Sequence, residues 1–295
     1  MRESVAAMAL VLAFALVRAR AKRIGGSFPT LDAAPGMLEA LAPQNLIVIT
    51  DFDATLTCGD GPQCHDVLGT APSLPASLRA DFAPLLDFSV PHPPEWHGAK
   101  WWERANEILV AHGAPTRAAL PALVRDAGLT PRPGALRLLQ WLEARGVPVL
   151  IVSAGCTDIV LSFLEQELDA PWSGPVSSNQ LRWDEAGTLV AVDPSPPCTS
   201  LDKDRTCERN PPFFASCSSR RSLLILGDSL SDLDVGTGVD RDATYSVGLL
   251  NDLRPPWCNP DEYDARFTAV LRGDRASLDP VTDLLERAEA AAKSN

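Results

Sequence analysis

An α/β fold, built on a doubly wound parallel sheet with an inserted, mainly helical cap, is predicted by three features of the sequence. First, three short runs rich in Val, Ile and Leu each stop at polar residues. Leu46–Thr50 runs into Asp51, Val147–Val152 into Ser153, and Leu223–Leu226 into Gly227 and Asp228. Runs this short and apolar read as strands buried on both faces. Second, Pro133–Ala144, ahead of the second run, carries Leu136, Leu138, Leu139 and Leu142 at helical spacing. Strands alternating with helices predict a doubly wound sheet. Third, roughly eighty residues separate the first two strands, too many for a simple connection.

Taken in chain order, residues 1–26 read as an extension outside the fold. Val5–Val17 is continuously apolar and is followed by Arg18, Arg20, Lys22 and Arg23. The run is short for a bilayer span, so no stable membrane span is expected. It has the length of a signal-peptide core, with Ala19 and Ala21 in a small-x-small pattern. Its arginines, with Glu3 as the one acid, also suit an organelle transit peptide. A flexible or helical extension is the plain alternative. The expected location is the cytoplasm, with an organelle or the endoplasmic reticulum as the alternative.

Residues 27–60 and 131–295 are assigned to the core and 61–130 to the cap, which contains helical stretches at Trp101–His112 and Thr116–Ala127. Gly146 sits where a helix C-cap is expected after Pro133–Ala144. Gln180–Trp183 and Thr188–Val192, joined by Asp184–Gly187, read as a β-hairpin. Pro194–Ser219 is rich in Pro, Ser and Cys and reads as loop.

The chain has 295 residues, 45% of them hydrophobic, and a formal net charge of −12. The length allows a core domain carrying an insertion. Acidity on this scale repels nucleic acid, which excludes a nucleic-acid-coating role. An anionic small substrate needs locally placed cations. The seven cysteines include no pair at zinc spacing. They read as reduced thiols, with a local disulfide among Cys198, Cys207 and Cys217 as the alternative.

In open α/β sheets ligands bind outside the carboxyl ends of the strands, at a switch point. Asp51, Ser153 and Asp228 therefore converge on one crevice despite their distance in sequence. Asp51-Phe52-Asp53 places two carboxylates at i and i+2 where the chain curls. One can attack phosphorus; the other can protonate a leaving alcohol and then take a proton from water. A solvated acidic loop is the plain alternative. Ser153-Ala154-Gly155 offers a hydroxyl and backbone N–H groups to phosphate oxygens, or an ordinary helix N-cap. Lys203 can balance charge in a phosphoryl transition state, or be a solvated surface lysine. Asp228 can be one of the few carboxylates that hold magnesium. Asp232, one turn on, can orient water or Asp228; a helix start with an Asp cap is the alternative.

In this order and strand context, these four elements resemble the haloacid dehalogenase superfamily of phosphatases. More narrowly, residues from about Leu31 to Ala288 resemble the cytosolic 5′-nucleotidase type III, or pyrimidine 5′-nucleotidase, family. The marks are Ile49-Thr50-Asp51-Phe52-Asp53 with Thr55-Leu56, Cys64-His65, Val152-Ser153-Ala154-Gly155, and Val176-Ser177-Ser178-Asn179. Asp184-Glu185 with Gly187, Leu226-Gly227-Asp228-Ser229, and Leu250-Asn251-Asp252 complete them.

The resemblance implies a Rossmann-like, haloacid dehalogenase-like core and a magnesium-dependent phosphatase. Asp51 would be the nucleophile and a Mg2+ ligand, and Asp53 the acid/base, lending its carbonyl to the metal. Asp228 would be the third metal ligand. Ser153, Ala154 and Lys203 would hold phosphate, with Lys203 assigned by its distance ahead of Gly227-Asp228. Thr55 and Asp232 would support these groups. In the cap, Asp87 falls where the family has a base-reading glutamate and Asn106 where it has a serine, so both are expected at the base. Phe88, Trp96, Trp101 and Trp102 offer faces for base stacking, with cap-core packing as the reading for at least two of them. The expected substrate is a nucleoside 5′-monophosphate, pyrimidine or 7-methylguanosine, taken by a monomer. The same chemistry on phosphoserine or a sugar phosphate is the first alternative, and an inactive nucleotide- or partner-binding member the second.

Overall fold

A computed structural model describes residues 30–251 and 259–294. The readings of residues 1–26, Asp252 and Cys258 therefore lie wholly or largely outside the described residues. After a short helix α1 (Pro35–Ala40), strand β1 (Leu46–Thr50) enters the centre of the sheet. The inserted segment follows as α2 (Cys64–Thr70), α3 (Ala76–Leu86), α4 (Lys100–His112) and α5 (Leu120–Ala127). The chain returns through α6 (Ala135–Ala144) to β2 (Val149–Cys156), α7 (Thr157–Leu168), β3 (Val176–Trp183) and β4 (Leu189–Asp193). Next come α8 (Thr206–Arg209), α9 (Pro211–Ser216), β5 (Ser222–Gly227) and β6 (Ala243–Leu250). The last elements are α10 (Pro260–Arg266), β7 (Ala269–Arg272) and α11 (Asp279–Ser294).

The seven strands lie in the order β4-β3-β2-β1-β5-β6-β7. All neighbours are parallel except β3 and β4, which form the expected antiparallel hairpin. The chain winds outward from β1 first one way and then the other, which puts the switch point at β1. Every residue of β1 is buried. Successive side chains in a strand point to opposite faces, and the core divides accordingly. Leu46 and Val48 join Leu224 and Leu226 on one face, while Ile47 and Ile49 join Leu150, Leu223 and Ile225 on the other.

Two expectations about local structure are corrected. The stretch 194–219 is not all loop: Lys203–Arg205 forms a 3₁₀ turn and α8 and α9 follow it. Helices of four and six residues are too short to carry a readable hydrophobic period. Strand β2 also runs past Val152 to Cys156, with its register against β3 shifting between those residues. Cys198, Cys207 and Cys217 are free thiols, as are the other described cysteines, so no local disulfide forms.

Backbone hydrogen bonds join the inserted segment to the core at its linkers and at the β3–β4 hairpin. Where it leaves and returns, Thr57 and Pro131 form an antiparallel bridge, Cys58 N–H donates to the Thr130 carbonyl at 3.0 Å, and Arg132 N–H donates to the Leu56 carbonyl at 2.8 Å. Beyond the end of α4, the hairpin docks on it. Arg117 N–H donates to the Gly187 carbonyl at 3.0 Å, Leu189 N–H to the Gly113 carbonyl at 3.3 Å, and Trp183 Nε1 to the Pro115 carbonyl at 3.1 Å. Among the described residues no helix is long and apolar enough to cross a membrane.

Candidate active site

Asp51 leaves β1 with its N–H still donating to the Leu226 carbonyl of β5 at 2.9 Å, so the sheet ladder fixes its backbone. The chain then turns back on itself. Leu56 N–H donates to the Phe52 carbonyl, Ala54 N–H donates to Thr57 Oγ1, and Ala54 adopts a left-handed φ of 56°. This curl brings Asp53 out beside α2, where the Cys64 N–H donates to Asp53 Oδ1 at 3.0 Å. Thr55 lies fully buried beneath it, and its hydroxyl oxygen has no hydrogen-bond partner.

Lys203 is buried rather than solvated. Its Nζ donates to Asp51 Oδ1 at 2.6 Å and to Asp232 Oδ1. The sequence thus brings a cation and two carboxylates together from three segments. Asp232 in turn accepts from the Ser229 N–H and hydroxyl as a capping box. It therefore both caps a short helical turn and holds Lys203. Gly227 must be glycine for this: a Cβ there would lie 2.2 Å from the Asp232 Cβ.

Ser153-Ala154-Gly155 occupies the register shift in β2. A bulge takes backbone groups out of the ladder and re-aims them. Gly155 N–H donates to Ser153 Oγ at 2.9 Å. Helix α7 begins only at Thr157, so Ser153 is not its N-cap. A Cβ on Gly155 would lie 2.6 Å from Cys64 Sγ and 3.1 Å from Asp53 Oδ2, so this glycine lets the bulge, α2 and Asp53 close together.

Burial dominates the electrostatics of these groups. Burial pushes the Asp51 carboxyl well above the usual carboxylate range, against the pull of Lys203. Burial lifts Asp53 to about 6, against the hydrogen bond from Cys64. Burial, helped by Asp232, lifts Asp228 to about 7. Burial opposes the Lys203 charge, but Asp232 and Asp51 outweigh it and raise its pKa above the ordinary lysine value. Three neighbouring carboxyls thus resist ionisation although Lys203 opposes the shift in each.

The donors suit a hard divalent ion. Asp51 and Asp228 offer carboxylate oxygens, and the Asp53 backbone offers a carbonyl. Magnesium takes one or two carboxylates and fills the rest of its octahedron with water and substrate oxygens. No three acidic, His or Cys side chains among the described residues form a ready cage, and such a site does not require one.

Of the residues read as base contacts, Asn106 is half-buried on α4, one turn from Trp102 and on the same helix face. Trp102 Nε1 donates to the Ala154 carbonyl at 3.1 Å, so this face meets the Ser153–Gly155 bulge. Asp87 stands differently. It is exposed at the C-terminal end of α3, and its carboxylate accepts from the Ser89 N–H at 3.0 Å and the Ser89 hydroxyl at 2.5 Å. These bonds lower its pKa. The structure spends Asp87 on its own turn and does not join it to the carboxylate cluster. Phe88 and Trp101 are buried in the hydrophobic core, while Trp96 and Trp102 are half-buried. His65 packs edge-on against Trp101 at 4.8 Å, and burial holds its imidazole down to about 4, hence neutral.

Two buried hubs were not assigned a role from the sequence. Asn179 Nδ2 donates to the carbonyls of Ala154, Gly155 and Cys198, and its Oδ1 accepts from the Cys198 N–H. It ties the bulge to the segment leading to Lys203. Arg132 lies under the Asp53 curl. Its one sequence signal is a charged residue set between Pro131 and Pro133 ahead of Gly134.

A family profile described as "Pyrimidine 5'-nucleotidase (UMPH-1)" matches residues 86–289. A chicken (Gallus gallus) 7-methylguanosine phosphate-specific 5′-nucleotidase is 27% identical over 269 residues, 85% of this chain and 91% of that protein. A putative cytosolic 5′-nucleotidase 3 of Caenorhabditis elegans is 27% identical over 196 residues, 66% of this chain and 51% of that protein. Among solved structures, cytosolic 5′-nucleotidase IIIB bound to cytidine superposes with a TM-score of 0.69 at 21% identity, covering 88% of this chain and 90% of that one. The chain belongs to the pyrimidine 5′-nucleotidase family, a family of phosphoric monoester hydrolases, and has the haloacid dehalogenase-like fold expected from its sequence.

Proposed function

We propose that this member of the family is a magnesium-dependent 5′-nucleotidase that hydrolyses a nucleoside 5′-monophosphate through a phosphorylated Asp51. The observation that carries the reading is the buried contact of Lys203 Nζ with both Asp51 and Asp232 at the carboxyl edge of β1 and β5. A solvated lysine or a surface acidic loop has no reason to be assembled there.

In this reading an Asp51 oxygen attacks phosphorus in line, forming the new P–O bond as the bond to the 5′-oxygen breaks. Asp53 gives its proton to the departing 5′-oxygen, which keeps the electron pair. Its raised pKa of about 6 suits a group that must be protonated in one step and ionised in the next. Ionised Asp53 then takes a proton from water as the water oxygen attacks phosphorus; the P–O bond to Asp51 breaks, its electron pair returns to the Asp51 carboxylate, and phosphate leaves. Lys203 and the Ser153–Ala154 backbone hold the phosphoryl oxygens in both steps. Magnesium, held by Asp51, the Asp53 carbonyl and Asp228, would supply positive charge to those oxygens. Thr55 and Asp232 hold the curl and Lys203 in place.

The cap is taken as residues 61–130. The Asn106 and Trp102 face of α4 is the part of it that supports a role at the base. For Asp87 the same role requires release from Ser89. The relatives' names support a pyrimidine or 7-methylguanosine monophosphate as substrate and the cytoplasm as location. The monomeric state and the absence of nucleic-acid binding belong to the same reading, the latter supported by the net charge of −12.

The test is phosphate release from a panel of nucleoside monophosphates, phosphoserine and sugar phosphates, with magnesium and with a chelator. Magnesium-dependent release favouring nucleotides is expected. Preference for phosphoserine or a sugar phosphate would replace the substrate assignment, and no release from any would overturn the reading.

A further inference from the structure

Arg132 is the largest of the fully buried side chains, with 1% of its surface exposed. It makes no ion pair among the described residues; its guanidinium meets neutral oxygens instead. Nε donates to the Thr55 carbonyl at 2.8 Å. Nη2 donates to the Ala54 carbonyl at 2.5 Å and to Asn251 Oδ1 at 2.7 Å. Nη1 donates to the carbonyls of Gly273 at 3.3 Å and Ala276 at 3.2 Å. The five N–H groups of an arginine are thereby all used. A buried charge is costly, and an apolar side chain of similar volume often serves stability as well or better. The position therefore points to the acceptors that only this planar fork can gather.

Two of those acceptors belong to the residues that follow Asp53. Ala54 sits at φ 56° without being glycine, a conformation that persists only where its surroundings impose it. Arg132 and Asn251 Nδ2, at 3.1 Å, both draw the Ala54 carbonyl downward, and Arg132 draws that of Thr55. With this backbone pulled beneath the curl, the Asp53 side chain stands above it within reach of the Cys64 N–H. Arg132 also begins the return from the inserted segment, with its own N–H on the Leu56 carbonyl.

We propose that Arg132 is a positioning residue for Asp53, acting through the carbonyls of Ala54 and Thr55 without touching substrate. The inference rests on the phosphatase reading in which Asp53 is the acid. When the P–O bond of a nucleotide breaks, its electron pair goes to an alkoxide-like 5′-oxygen that needs the Asp53 proton. A p-nitrophenolate leaving group holds that pair without one. Misplacing Asp53 therefore costs a nucleotide more than it costs p-nitrophenyl phosphate, whereas general loosening of the fold costs both alike.

The experiment measures kcat for cytidine monophosphate and p-nitrophenyl phosphate, at saturating magnesium, in wild type, Arg132→Lys and Arg132→Met. Arg132→Lys keeps the charge but loses the fork. Asn251→Ala, which removes the other hydrogen bond to Ala54, gives a further comparison should Arg132→Met not fold. The expected result is a loss at least about tenfold larger on the nucleotide, within the range that general acid catalysis supplies. Combining Arg132→Lys with Asp53→Asn should add no further discrimination between the substrates. Equal losses on both substrates, or no loss on either, in every folded variant overturn the positioning role and leave the phosphatase reading standing. A wild type that turns over neither substrate overturns the phosphatase reading, and this inference with it.

Discussion

Lys203 Nζ and Asp51 Oδ1 meet at 2.6 Å although 152 residues separate them in the chain. The contact joins the end of the central strand to a turn in a Pro- and Cys-rich stretch, and Asp232 completes it from a third segment. In the proposed reaction Asp51 is the attacking carboxylate and Lys203 its charge-balancing cation. Asp51→Asn keeps the shape but removes the attacking anion. Turnover is expected to fall by at least about a thousandfold, since covalent catalysis and metal ligation are lost together. Circular dichroism should show an unchanged fold. Retention of more than about a tenth of the activity would remove Asp51 from its role.

Lys203→Met leaves Asp51 and Asp232 buried without their cation. Breaking a buried ion pair from one side costs about 3–5 kcal/mol. Both stability and turnover should therefore drop, and Lys203→Met combined with Asp232→Asn should recover part of the stability but none of the turnover. Denaturant unfolding of the two variants decides this, and equal stabilities would mean that Asp232 does not bear the lost charge.

The Asp53 carboxyl is raised from 3.8 to about 6 by burial, so the folded protein binds a proton there that the unfolded chain has released. Between these values stability falls as pH rises, and above about 6 the full cost of the buried charge is present. Asp53→Asn should therefore melt higher than wild type at pH 7.5 in chelator, by at least about 2–4 °C, the shift 1 kcal/mol brings in a domain of this size. Below pH 4 the gain should vanish. His65, held down to about 4, acts with the opposite sign. The comparison must therefore be made between variant and wild type at each pH. A gain independent of pH would point to packing instead.

Magnesium at about a hundred times its Kd should stabilise wild type by about 2.7 kcal/mol. Asp228→Asn should lose most of that shift while melting no lower than wild type without metal, because its own burial cost is gone. Thermal melts with and without magnesium read both quantities. An undiminished shift in the variant would place the metal elsewhere.

Asp87→Ala should change kcat/KM for cytidine monophosphate by less than about threefold, because exposed polar groups that serve their own turn contribute little elsewhere. Trp102→Ala removes both an aromatic face and the hydrogen bond to the Ala154 carbonyl. It should cost about ten- to a hundredfold on nucleotides, as base–aromatic contacts of about 1–3 kcal/mol imply. A large loss on Asp87→Ala confined to cytidine monophosphate would instead restore Asp87 as a base reader.

Asp51, Ser153 and Asp228 were legible because buried parallel strands announce themselves as short apolar runs, and ligands gather at their carboxyl ends. Lys203 was legible only through a family spacing, since nothing local distinguishes it from a solvated lysine. Asp87 was read through the same kind of transfer, and the motif alone did not show that Ser89 offers its carboxylate two donors. The bulge at Ser153–Gly155 was hidden because a register shift is a property of two strands, and only one is visible in a motif. Arg132 and Asn179 were missed for a related reason. Their partners are mostly carbonyl oxygens, which every residue possesses and which therefore leave no trace in the letters of a sequence.

The docking of the β3–β4 hairpin on the far end of α4 changes how the inserted segment can travel. A segment held only by its two linkers swings like a door, and its free edge moves farthest. Here the free edge is stitched to the core by backbone groups of Arg117, Gly187, Gly113 and Leu189. Swinging the segment away from the core would therefore have to break these hydrogen bonds, together with those of Trp183 to Pro115 and Trp102 to Ala154, and not only flex the linkers.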